Sequence, residues 1–166
     1  MSVAELEKGA AVRPLDERAI IALIYEAAAC ADEKRFMDWV ALFAEDASYG
    51  AITDENLSTG LYLYKDRGQR ALQERAAYQM GLWQVPRGKI LHLVTNIVIS
   101  AGDTGDIAHA KSNFLLTRTG ALEHSKLHAC GIYRDTFQRQ GDAWLFKARE
   151  VVIDSQLLPA EFTELI

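Results

Sequence analysis

The apolar periodicity of this chain changes once, and that change limits the folds open to it. As far as Met80 the large apolar residues recur at helical spacing; from Ile90 onward they alternate in long runs parted by tight turns. The expected order is therefore three helices and then a long antiparallel sheet. Helices grouped in sequence this way pack together on one side of the sheet, so the fold class is α+β, with N-terminal helices on a curved, mostly antiparallel sheet.

The first helix should start after Asp16, whose carboxylate can cap the opening turn, with Pro14 preventing an earlier start. Ile20, Ile21, Leu23, Ile24, Ala27 and Ala28 form its apolar stripe, and it should fade between Ala31 and Glu33. Phe36, Trp39, Val40 and Phe43 share a face and predict a shorter second helix. Residues 44–50 break that period and lead into a short strand near 48–52. Residues 53–64 read as a loop ending in Tyr62 and Tyr64. A third helix is expected from about Gly68 to Met80, with Leu72, Arg75, Ala76 and Gln79 along one side, closed by Gly81 and Pro86. Four strands follow, at 90–100, 107–118, 126–138 and 143–154, with Gly-rich turns at 101–106 and 139–142. In the second of them Ala108, Ala110, Ser112, Phe114 and Leu116 share one face, and His109, Lys111, Asn113 and Thr117 the other.

At 166 residues the chain suits one domain, expected over 15–166 behind a flexible arm at 1–14. A composition of 49% hydrophobic and 25% charged residues is that of a globular protein. The net charge of −5 gives no reason to expect nucleic acid or an anionic membrane as a partner. No apolar run approaches the roughly 20 residues that span a bilayer, and residues 1–14 have no apolar signal-peptide core. A cytoplasmic location is the expectation. In such a compartment Cys30, in the first helix, and Cys130, in the third long strand, read as buried free thiols rather than a disulfide.

The chemistry the residues could carry is limited first by what is missing. A Rieske iron–sulfur centre takes two cysteines and two histidines in C-x-H and C-x-x-H spacing. Cys30 is followed by Ala31, Asp32 and Glu33, and Cys130 by Gly131, Ile132 and Tyr133, so neither fits. His124 and His128 would share a face only on a helix; in a strand they lie roughly 13 Å apart at about 3.3 Å per residue. No metal site is expected, and His109, His124 and His128 read as exposed or partly exposed. No phosphate loop, nucleophile elbow or zinc-type cysteine pair occurs. Asp46, Tyr49, His92, Tyr133 and Glu150 are the polar residues that could face an interior cavity. Glu150 has the strand parity of Trp144, Phe146, Ala148 and Val152, so it is expected on the apolar face. A carboxylate there is either a general acid–base group or one half of an ion pair, to an arginine such as Arg75, or a contact across a subunit interface. The ion-pair reading is favoured, because ion-pair networks also bury carboxylates.

These elements in this order resemble the cone-shaped fold named after nuclear transport factor 2, also called cystatin-like. Within it the chain is similar to the β (small) subunits of aromatic-ring-hydroxylating dioxygenases. The likeness runs from Leu15 to Leu158. It rests on DWVALFAEDASY at 38–49, Arg75, HLVTN at 92–96, and above all the last hairpin: GIYRD at 131–135, GDAW at 141–144 and REVVID at 149–154. Residues 159–166, running on beyond the last strand, depart from it.

The resemblance implies a structural subunit with no catalytic residue, cofactor or metal of its own, in an oxidoreductase of aromatic-compound catabolism. It implies a partner α subunit holding a Rieske cluster and a non-haem iron, assembled as three α and three β chains, with β chains associating as a trimer. The alternative on the same fold is a free-standing isomerase, dehydratase or cyclase with an apolar pocket, and His92, Tyr133 and Glu150 are then its candidate catalytic residues.

Overall fold

The structure, a computed structural model, describes residues 14–82, 88–155, 157–159 and 164–166. Helix α1 (Glu17–Asp32) begins where expected: the Asp16 side chain accepts a hydrogen bond of 3.0 Å from the Ala19 amide. Helix α2 (Phe36–Ala41) buries Phe36, Trp39 and Val40. Helix α3 (Gly68–Leu82) buries Leu72, Ala76 and Gln79. The expected arm at 1–14 falls almost wholly, and the closing Pro86 entirely, outside the described residues.

Six strands form one sheet: β1 (Phe43–Thr53), β2 (Tyr64–Arg67), β3 (Lys89–Ala101), β4 (Ile107–Thr119), β5 (Lys126–Gln140) and β6 (Ala143–Ile153). Their order is β2-β1-β6-β5-β4-β3, antiparallel except for the β1–β6 pair. The α+β expectation holds, with two corrections at the N-terminal end of the sheet. Phe43 opens β1 instead of closing the second helix, so β1 starts well before the expected 48. The loop expected at 53–64 instead carries a 3-10 turn at Asp54–Asn56, and a short edge strand, β2, follows it.

The helices cover one face of the sheet. The core they enclose is built on aromatic contacts between Trp39, Phe43, Tyr49, Phe137 and Phe146, with ring centroids 4.5–6.2 Å apart. Phe114 stacks on Tyr133 at 4.6 Å. Gly131 permits the close approach of β5 to β6: a Cβ there would lie 2.0 Å from the Val152 carbonyl oxygen.

One irregularity decides which residues of β6 face this core. In the β5–β6 ladder Thr136 pairs with Ala148 but Phe137 pairs with Phe146, so Lys147 is an extra residue. Such a bulge inverts the facing of every residue beyond it. Trp144 and Phe146 point inward before it; Arg149, Val151 and Ile153 point inward after it. The expected facing of Glu150 is therefore corrected: it lies on the outer face, opposite Arg134.

Candidate functional site

The polar centre of the interior is built from α1, β1, β3, β5 and β6. Asp32 ends α1, where a carboxylate meets the negative end of the helix dipole and needs a compensating partner. That partner is His92 on β3. Its backbone amide donates to both Asp32 oxygens at 3.1 Å, and its ring Nδ1 lies 2.6 Å from Asp32 Oδ1. The other ring nitrogen, Nε2, is 3.1 Å from the carbonyl oxygen of Leu165.

Leu165 and Ile166 are each only 3% exposed and fill the interior beside His92 and Tyr49. The Tyr49 hydroxyl donates to the Ile166 carbonyl at 3.0 Å, accepts from the Ile166 amide at 3.0 Å, and accepts from the Tyr64 hydroxyl at 3.1 Å. Burial pushes the Tyr49 and Tyr64 phenols above their ordinary value, so both remain neutral donors. Glu164 meets His128, a residue expected to be exposed or partly exposed, which is intermediate in exposure as a whole with its side chain turned in against Glu164.

Deeper in, Arg149 and Asp135 form a bidentate pair, Nε to Oδ1 at 2.9 Å and the second guanidinium nitrogen to Oδ2 at 2.8 Å. Burial pushes the Asp135 carboxyl up, against the pull of the Arg149 guanidinium. Burial also opposes the Arg149 charge, yet Asp135 outweighs it and raises the guanidinium above its usual value. Arg149 lies over the rings of Tyr133 and Phe146, at 4.3 and 4.4 Å. Burial also holds the Tyr133 phenol far above its ordinary range, which removes it as a base near neutrality.

Of the three candidates His92, Tyr133 and Glu150, the first two face the interior and Glu150 does not. Glu150 is indeed ion-paired, but to Arg134 at 3.3 Å and with a hydrogen bond from Tyr62; Arg75 pairs with Asp66 instead. Asp46 is exposed against Lys147. Cys30 is buried as expected, whereas Cys130 lies on the half-exposed outer face, because alternation in β5 turns Ala129 and Gly131 inward. Among the described residues no three His, Cys, Asp or Glu side chains come together to hold a metal ion. Also among the described residues, no helix is long and apolar enough to cross a membrane.

The outer face has a different chemistry. Leu91 and Leu93 on β3, Leu115 on β4 and Leu127 on β5 are exposed large apolar side chains. Leu93 pairs with Leu115 and Leu115 with Cys130; Leu91 pairs with Thr117 and Thr117 with Leu127, so they form two adjacent rows across the sheet.

Residues 13–150 match the family described as the SnoaL-like domain. The chain is 32% identical over 149 residues to the β subunit of 3-phenylpropionate/cinnamic acid dioxygenase from Photorhabdus laumondii, covering 81% of this chain and 82% of that one. It is 27% identical over 126 residues to the anthranilate 1,2-dioxygenase small subunit of Burkholderia cepacia, covering 75% and 78%. The β subunit of the benzoate 1,2-dioxygenase of Burkholderia mallei has the same fold, at a TM-score of 0.77 and 18% identity, over 92% of this chain and 99% of that one. This chain belongs to the β (small) subunits of aromatic-ring-hydroxylating dioxygenases, built on a SnoaL-like, nuclear-transport-factor-2-like domain.

Proposed function

We propose that the chain is the structural β subunit of a multicomponent dioxygenase of aromatic-compound catabolism, working in the cytoplasm beside an iron-bearing α subunit. The observation that carries this reading is the outer sheet face. Leu91, Leu93, Leu115 and Leu127 stand exposed in adjacent rows, where a monomer gains nothing from them and a permanent interface does. The filled interior is in keeping with a scaffold, since Leu165 and Ile166 occupy the space a substrate would need. In this reading the Rieske cluster and the non-haem iron reside in the α subunit. The assembly holds three α and three β chains, with the β chains meeting about a threefold axis.

The test is co-expression with a chain carrying C-x-H and C-x-x-H cysteine–histidine spacing, encoded next to this one, followed by size-exclusion chromatography. The two chains should elute together at the mass of a hetero-oligomer, and Leu93→Lys combined with Leu115→Lys should release this chain. If it elutes alone while its neighbour is soluble and active, the subunit reading fails.

One observation favours a second reading, a free-standing isomerase, dehydratase or cyclase: the contact of Asp32 with the His92 ring. The proposed trio of His92, Tyr133 and Glu150 gives it no support, because Glu150 sits on the opposite face.

A further inference from the structure

Residues 164–166 are buried, yet they belong to no helix or strand. Interior side chains hold their backbone instead. Both ring nitrogens of His92 face acceptors, the Asp32 carboxylate on one side and the Leu165 carbonyl on the other. Neither acceptor can donate, so both bonds form only when both nitrogens carry hydrogen. The Tyr49 hydroxyl uses its single hydrogen on the Ile166 carbonyl and both lone pairs on the Ile166 amide and the Tyr64 hydroxyl. The interior wall thus aims two donors, His92 Nε2–H and Tyr49 O–H, at its occupant. The occupant answers with two carbonyl oxygens and two aliphatic side chains.

We infer that residues 164–166 act as an intramolecular ligand, and that the site they cover takes a small apolar molecule bearing a carboxylate or carbonyl oxygen. The recognition chemistry is already in place: an apolar niche, one hydroxyl donor, and one imidazole donor whose orientation Asp32 fixes. No strand ladder ties these residues to the sheet, so they can leave by breaking a few side-chain bonds rather than by opening the sheet. On the far side of His128, which meets Glu164, a groove of about 420 Å³ bordered by Arg118, Lys126, His128 and Pro159 opens to solvent. A ligand must compete with the segment, so its apparent affinity falls by the fraction of molecules in which the site is open. The inference does not depend on the subunit reading, and its experiment uses this chain without any partner.

Benzoate is the probe and toluene the control, because both bring an apolar ring and only benzoate brings the acceptor. In the unaltered chain, benzoate should raise hydrogen exchange at the Leu165 and Ile166 amides by about tenfold or more, and toluene should leave it unchanged. Leu165→Asp puts a carboxylate into the apolar niche and should expel the segment. Calorimetry on that variant should show benzoate binding about tenfold or more tighter than in the unaltered chain, and a synthetic peptide of residues 159–166 should compete for the site. Should the variant not fold, the exchange measurement on the unaltered chain decides alone. Unchanged exchange up to the solubility limit of benzoate overturns the inference. So does a folded Leu165→Asp chain that binds benzoate no better than the unaltered one, or one that binds toluene equally well.

Discussion

Two ion pairs occupy neighbouring rungs of the same hairpin and live in opposite worlds. Arg134 pairs with Glu150 on the outer face, with side chains 50% and 29% exposed. Asp135 pairs with Arg149 one rung on, facing inward, with side chains 0% and 3% exposed. The chemistry is the same and the polarity reversed: the arginine is on β5 outside and on β6 inside. What differs is solvation. The outer pair exchanges its partners with water at little cost, and pairs of this kind contribute about 0–1 kcal/mol. The inner pair has no water to fall back on, so each charge depends wholly on the other and on the Tyr133 and Phe146 rings around the guanidinium. Burial alone does not make it stabilising. It makes it indispensable as a pair.

The sharpest way to break this contrast is to remove one inner partner. Arg149→Met should lower stability in urea titration by about 3–5 kcal/mol, because it strands the Asp135 carboxylate. Adding Asp135→Leu should recover most of that loss, and a double variant as unstable as the single one would show that the pair itself contributes net stability. A pH series sharpens the contrast through the cysteines, Cys30 inside and Cys130 outside. Burial, aided by the Glu26 hydrogen bond, pushes the Cys30 thiol up to about 11 from its ordinary 9.0. The unfolded chain therefore loses this proton first as pH rises, and stability should fall between pH 9.0 and about 11 by on the order of 2 kcal/mol. Cys30→Ala should flatten that part of the profile.

Smaller again is Tyr49→Phe, which takes the hydroxyl from the Ile166 amide and carbonyl. It should cost about 1–3 kcal/mol in thermal or urea unfolding. The smallest effect belongs to the outer pair: Glu150→Gln should change stability by about 0–1 kcal/mol, and salt should erase even that. A loss comparable to that of Arg149→Met would mean that the two rungs are not distinguished by solvent at all.

Much of the fold could be read from the residues. Asp16 caps α1 because a carboxylate followed by an apolar helical stripe has little else to do, and the long strands announce themselves through alternation and glycine turns. The first half of β1 could not, since FAEDA carries no alternation; it is a strand because Phe43, Ala44 and Ala47 find the core by tertiary packing. Edge strand β2, four residues reading YKDR, has the composition of a loop. The error at Glu150 has one cause. Period-2 reasoning carries facing along a strand without limit, whereas the extra residue at Lys147 resets it, and nothing in LFKARE marks the reset. In the interior, His92 and Tyr133 were recognisable and their neighbours were not. Asp32 left a usable signal, an acid in the last turn of a helix where the dipole disfavours it. Leu165 and Ile166 left none, because a segment held by side chains has no period.

The bulge at Lys147 also gives β6 a spare residue. Removing Lys147 would join Phe146 to Ala148 and close the ladder without a bulge, leaving Ala148 opposite Thr136 and every later rung paired as before. Arg149 would still meet Asp135 on the inner face, and Glu150 would still meet Arg134 on the outer one. In a scaffold whose sheet keeps one face for the core and one for its neighbours, a one-codon deletion at this position would thus cost a bend and the Lys147–Asp46 ion pair and leave the chemistry of both faces intact.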